Sequence, residues 1–255
     1  MIRVLLSNDD GFHSTGIRCL YDALSAHFAV TTVAPQREQS GVSHAFTFHS
    51  PLYYEKVGEN GSMPGYVVNG TPSDCVKFAV STLMSQRPDV VVSGMNLGEN
   101  SGISGFYSGT LAAAREGAFW GIPSVAFSVC DGAKSHMADY SAMAVRILRH
   151  ILEMHTSSAT YYNVNFPACP VAECRGIKVA RQSMAFFDDR YRSVVNERGE
   201  EGFLVYGQKI GLEQTDDYDS CALANNYATV SPLHFDATAE EALRGLQSQE
   251  HVFQS

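Results

Sequence analysis

Over the first 158 positions, short unbroken apolar runs alternate with stretches whose apolar residues recur every three or four positions. "IRVLLS" at 2–7 reads as a buried strand. Ile17, Leu20, Tyr21, Leu24 and Phe28 then mark one face of a helix, with Ser14 or Thr15 as its N-cap. "AVTTVAP" at 29–35 is the next strand, closed by Pro35, and a strand–helix–strand unit of this kind opens a parallel sheet. Residues 46–57 read as an excursion of extended chain. The helical period resumes at 71–86, where Thr71 is a cap, Pro72 takes the first helical position and Asp74 lies in the first turn. A strand at 88–96, a helix at 108–121, a strand at 122–129 and a long amphipathic helix at 139–155 follow.

Beyond about residue 160 the texture changes. "YYNVNF", "IKVARQ", "FLVYGQKI" and "YATVSPLHF" are short strands broken by Gly, Asp and Asn, and a final helix is expected over 238–247. The pattern predicts an α/β protein: a Rossmann-like, doubly wound, mostly parallel sheet in three layers, with a smaller antiparallel-rich appendage. Residues 1–158 form the core in this reading and residues 159–255 the extension. No internal repeat or low-complexity linker interrupts the chain.

A chain of 255 residues is long enough for such a core. Its net charge of −9 argues against a nucleic-acid polymer as ligand, because such binders present basic stripes. No apolar run is long enough to cross a membrane or to serve as a signal-peptide core, so a cytoplasmic location is expected. The six cysteines are scattered and read as reduced thiols, and the histidines form no zinc-ligand pair.

In a doubly wound sheet, ligands bind beyond the carboxyl ends of the strands. The first strand ends in Asn8-Asp9-Asp10-Gly11, the second runs into "PQREQSGVS" with Ser40, and the 88–96 strand ends in "SGMNLGENSG" with Asn96. Adjacent carboxylates repel, so something positive is needed to hold Asp9 and Asp10 together. Asp9, Asp10, Ser40 and Asn96 offer oxygen atoms, the set that Mg²⁺, Mn²⁺ or Ca²⁺ takes. The plainer alternative is that the aspartates cap a turn. A second cluster, Ser108-Gly109-Thr110, precedes a helix, and such an N-terminus is an anion site as well as a simple cap. A GxxxxGK[ST] loop and a GxSxG elbow are both absent, which excludes a P-loop enzyme and leaves a serine hydrolase without support. Cation and anion sites together point to metal-assisted hydrolysis of a phosphate ester.

The blocks "LLSNDDG", "APQREQSG", "GTPSDCV", "SGMNLGENSG", "YSGTLAAAREG" and "VSPLHFDAT" resemble, in order, those of the SurE family of survival-protein 5′-nucleotidases. The resemblance implies a divalent-metal-dependent nucleoside 5′-monophosphatase with side activities on 3′-nucleotides and polyphosphate. It places the metal ligands on Asp9, Asp10, Ser40 and Asn96, with the two aspartates catalytic. It puts the phosphate on Ser108, Gly109 and Thr110, to which Asn8 is added. It also implies a homodimer or homotetramer, consistent with short, uncovered strands over 200–232. Three rival readings stay open. An aspartyl-phosphate phosphatase would space its aspartates as D-x-D. A metal-dependent nucleoside hydrolase would not need the 108–110 turn. A nucleotide sensor would bind without turnover.

Overall fold

The computed structural model describes residues 1–58, 63–154, 159–250 and 252. In chain order the strands and α-helices are β1 (Arg3–Ser7), α1 (Thr15–Ser25), β2 (Ala29–Pro35), β3 (Tyr54–Val57), β4 (Gly65–Val68), α2 (Pro72–Phe78), β5 (Val90–Leu97) and α3 (Gly109–Phe119). Then come β6 (Ser124–Val129), α4 (Met137–Glu153), β7 (Thr160–Phe166), β8 (Ile177–Val179), β9 (Phe186–Phe187), β10 (Arg190–Val195) and β11 (Glu201–Tyr206). β12 (Lys209–Ile210), α5 (Asp219–Ala224), β13 (Ala228–His234) and α6 (Glu240–Gln247) close the chain.

Nine strands form one twisted sheet in the order β3-β4-β2-β1-β5-β6-β7-β13-β8. The run from β4 to β7 is parallel, while β3 and β13 each pair antiparallel with a neighbour. Side chains of successive strand residues go to opposite faces. Val4, Leu6, Val90 and Val92 therefore join α1 and α4 in one apolar layer, while Leu5 and Val91 join α2 and Ala113 of α3 in the other. Helices thus cover both faces, as the doubly wound reading requires.

Several expected elements differ in detail. Ser14 is the N-cap residue of α1, and Phe28 lies beyond that helix yet stays buried. The 71–86 helix is α-helical only to Phe78 and continues as a π-helical turn over Ala79–Leu83. The expected 139–155 helix begins two residues earlier, and its last position lies outside the described residues. "FLVYGQKI" is split between β11 and β12 at Gly207.

The expected boundary at 158 also lies outside the described residues, but the same sheet is present on both sides of it. β7 continues the parallel order, and β13 inserts between β7 and β8. Pro232 fits within β13 because it lies past the reach of β8, which pairs only with Ala228–Val230. What stands outside the sheet is two small antiparallel pairs, β10–β11 and β9–β12. Among the described residues, no helix is long and apolar enough to cross a membrane.

Candidate active site

β2, β1 and β5 are neighbours, so their carboxyl ends bring three of the predicted clusters to one edge. Asp9 is buried at the end of β1. Its backbone carbonyl accepts from Gln39 N at 2.7 Å, which ties the β2 loop to the aspartate turn. Thr110 donates to the Asp9 carboxylate twice, from Oγ1 to Oδ1 at 2.5 Å and from its backbone N to Oδ2 at 3.1 Å. The cation cluster and the α3 N-terminus therefore share a direct contact across 101 residues of sequence.

Small residues make this approach possible. α3 opens Gly-Thr-Leu-Ala-Ala-Ala, all buried, so the helix lies close against the sheet. A Cβ on Gly109 would sit 2.8 Å from Asp9 Cβ and 3.1 Å from Pro72 Cγ. Ser108 caps the helix, its Oγ accepting from Leu111 N at 3.1 Å. Among the described residues, no acceptor takes the Ser108 hydroxyl proton or the Gly109 N–H. These two donors, with the helix dipole, are what an anion would meet.

Asn96 reaches the edge through an irregularity in β5. The register against β6 shifts between Ser93 and Asn96, and a bulge of this kind re-aims the side chains that follow. Gly94 has φ +125°, and a Cβ there would lie 2.2 Å from the Phe127 carbonyl, so the bend needs glycine. The Asn96 amide donates to Gly98 O at 2.6 Å, leaving its side-chain oxygen available. Ser40 is exposed and donates to Glu38 Oε1 at 2.7 Å. The loop from Asn96 to Ser108 is held from elsewhere in the fold: Asn100 N donates to Asn165 Oδ1 at 2.7 Å, and Lys209 Nζ to Glu99 Oε1 at 2.7 Å.

Burial raises the proton affinity of both aspartates. In Asp9 it outweighs the opposing pull of the Thr110 hydrogen bonds. Asp10 is pushed up to about 6 by burial and by the charges of Asp9 and Glu38, against a hydrogen bond from the Leu97 backbone. Among the described residues, no basic side chain pairs with Asp9, Asp10 or Glu38. A buried and a part-buried carboxylate beside neutral oxygens, with no protein cation opposite among the described residues, match a hard divalent cation. No group of three or more His, Cys, Asp or Glu side chains gathers to bind a metal among the described residues, so the neutral oxygens of Ser40 and Asn96 would have to complete the set.

Two predicted phosphate contacts have other partners here. Asn8 is fully buried, and its amide donates to Gly11 O at 2.9 Å and Ser14 Oγ at 2.9 Å, which closes the turn after β1. Its side-chain oxygen, the atom left over, is an acceptor and repels an anion. Thr110 gives both its donors to Asp9, so it orients the carboxylate, and Ser108 and Gly109 are the donors of this cluster left open to an anion.

Two supporting groups, Glu38 and the His44–Glu116 pair, were not singled out from the sequence, and a third, Asp74, was read there only as a first-turn residue. Glu38 adds a third carboxylate near the aspartates, and its place two residues before Ser40 is the signal that would have found it. Asp74, buried at the start of α2, accepts from Thr47 N at 2.8 Å, Thr47 Oγ1 at 2.7 Å and Thr71 N at 2.9 Å. His44 Nε2 meets Glu116 Oε2 at 2.9 Å. Burial pushes the Glu116 carboxyl up, but His44, Trp120 and Lys77 together hold it below the usual range. These contacts strap the 40–47 loop, and with it Ser40, onto α2 and α3.

A model of the family described as survival protein SurE matches residues 4–189 of this chain. The chain is 40% identical to a 5′-nucleotidase SurE from Syntrophobacter fumaroxidans over 242 residues, covering 95% of this chain and 97% of that protein. It is 38% identical to a 5′-nucleotidase SurE from Gloeobacter violaceus, covering 99% and 98%. The chain belongs to the SurE family. Its fold agrees: the crystal structure of the SurE protein from Aquifex aeolicus superimposes with a TM-score of 0.83 at 34% identity, covering 97% of this chain and 99% of that one. The blocks that resemble SurE up to residue 117 all lie within the matched span, and "VSPLHFDAT" lies beyond it in β13 and the residues that follow.

Proposed function

We propose that this SurE-family chain is a 5′-nucleotidase, a phosphatase that hydrolyses nucleoside 5′-monophosphates to nucleoside and phosphate with a divalent cation, Mg²⁺ or Mn²⁺ first and Ca²⁺ also accommodated. The names of its relatives support the activity, and one observation carries the chemistry. The Asp9–Thr110 contact supports it, because it joins a cluster of negative and neutral oxygens suited to a cation to the helix start that carries Ser108 and Gly109, two donors suited to an anion. A phosphate monoester is the substrate that needs both.

Asp9, Asp10, Ser40 and Asn96 would hold the cation. When bound, it supplies Lewis acidity and offsets charge on the phosphoryl group. The chain's own residues do the rest. Ser108 donates its hydroxyl proton, and Gly109 its backbone N–H, to the phosphoryl oxygens as charge builds there. Thr110 and the buried turn after β1 keep Asp9 in place, and the straps to Asp74 and Glu116 do the same for the Ser40 loop. In-line attack by water on phosphorus completes the reaction. Side activities on 3′-nucleotides and polyphosphate belong to the same proposal.

Turnover of a nucleoside 5′-monophosphate in oxygen-18 water tests it. The label is expected in the released phosphate and not in the nucleoside. Free base as product would assign the site to a nucleoside hydrolase instead, and a trapped phospho-enzyme would overturn the direct attack.

A further inference from the structure

The face of α3 that carries Arg115 holds a charge that the proposed reaction does not use. Leu111 and Arg115 are four residues apart on one stripe of the helix. Beside them lies a cavity of about 140 Å³ whose walls include Phe106, Arg115, Tyr161, Gln182, His234 and Phe235. Arg115 is partly buried, and its Nε is shut off from solvent with no hydrogen-bond partner among the described residues. Among the described residues, no carboxylate pairs with it. Its guanidinium lies 5.8 Å from the Tyr161 ring centroid, a contact that fixes the plane of the fork without neutralising it.

An unpaired, part-buried cation is costly, and in a chain of net charge −9 acids are plentiful enough to have supplied a partner. Tyr161 is 5% exposed, lines the same cavity, and its hydroxyl makes no hydrogen bond among the described residues. Two donor groups without acceptors thus face one space, between the apolar rings of Phe106 and Phe235.

We propose that this cavity is an oxyanion site that takes a phosphate group, held by the Arg115 fork with the Tyr161 hydroxyl as a further donor. A guanidinium matches two phosphate oxygens at once, and the phenol suits a third. Arg115 is seven residues past Ser108, about 10 Å along the helix at roughly 1.5 Å per residue, and helical side chains lean back toward the N-terminus. Phosphate groups at the two places would be within the span of one nucleotide. The group comes either from free inorganic phosphate or from a second phosphoryl group on the substrate. The substrate source rests on the nucleotidase reading, whereas the free-phosphate source does not.

Thermal unfolding of metal-stripped protein with and without inorganic phosphate tests the site without any turnover. Phosphate should raise the melting temperature of the wild type and of Ser108→Ala, which removes a donor from the α3 N-terminus. The rise should vanish in Arg115→Met and shrink in Tyr161→Phe, with phosphate affinity down roughly tenfold or more in the former. Arg115→Met without phosphate should melt no lower than wild type, because it removes an unpaired charge. A second arm compares KM for a nucleoside 3′,5′-bisphosphate with KM for the 5′-monophosphate. A roughly tenfold rise for the bisphosphate alone in Arg115→Met assigns the site to a substrate phosphoryl group. An unchanged ratio with a lost thermal shift assigns it to free phosphate. Should Arg115→Met fail to fold, Tyr161→Phe decides both arms. A phosphate response and a KM ratio that ignore both substitutions overturn the proposal.

Discussion

Asp10, a proposed cation ligand, opposes the stability of its own fold. Its carboxyl is pushed up to about 6, so the folded chain holds more protons than the unfolded chain between about pH 4 and 6. Stability therefore falls as pH rises through that window, and above it the charged pair is a standing cost. With a chelator present, Asp10→Asn should be more stable than wild type near neutral pH, by about 1–2 kcal/mol after solvent screening. The gap should close toward about pH 4. A divalent cation should raise the melting temperature of the wild type and leave the variant unmoved, and a variant less stable than wild type in chelator would contradict this. Gly109 carries a second residue-scale prediction. Gly→Ala in a helix ordinarily gains up to about 1 kcal/mol. Here the added Cβ meets Asp9 and Pro72, so Gly109→Ala should lose about 1–3 kcal/mol and most activity, as read by denaturant melts and phosphate release. The positions of Asp9, Asp10, Asn96 and Ser108 were legible because each ends a strand or begins a helix in an unambiguous pattern. The partners of Asn8 and Thr110 were not, because a hydrogen bond's direction is set by what folding brings near, in Thr110's case a residue 101 positions away.

At the scale of elements, α2 does more than cover the sheet. Its first-turn Asp74 joins the capping box to the Ser40 loop. Asp74→Ala would strand three buried or part-buried donors and should cost about 3 kcal/mol or more. Freed from α2, the loop should hold Ser40 less firmly, so half-maximal activity should need more cation while the rate at saturation changes less. A variant with unchanged stability and an unchanged cation titration would show that the strap does not position the site. The Thr71, Pro72 and Asp74 signals were all readable from sequence, and the helix begins where they put it. Its π-helical end was not, because Ala79–Leu83 carry no Gly or Pro to mark the change. β13 shows a related limit. The alternation in "YATVSPLHF" reveals a strand, but order within a sheet is not written in periodicity, and the strand turns out to lie inside the main sheet, next to the edge strand β8.

On the scale of the whole molecule, two features present apolar surface that no other described residue covers. The β10–β11 pair exposes Tyr191 at 69% and Phe203 at 72%, and α6 buries none of its residues, leaving Leu246 at 56%. A helix of eight residues does not hold itself together in water, and paired strands of this kind invite further pairing. We propose that the protein is a homodimer or homotetramer in which these surfaces meet a second copy; light scattering at micromolar concentration should report two or four chains, and a fully active monomer would defeat the proposal. The central claim, that the edge formed by β1, β2 and β5 uses a divalent cation to hydrolyse a nucleotide phosphate, is open to one direct measurement. Metal-stripped protein is supplied with a nucleoside 5′-monophosphate, and phosphate release is followed as Mn²⁺ or Mg²⁺ is added, for the wild type and for Asp9→Ala. The account predicts no release without cation, saturable release with it, and loss of nearly all activity in the variant while its fold persists. Full activity in Asp9→Ala, or release by wild type that ignores the cation, would contradict it.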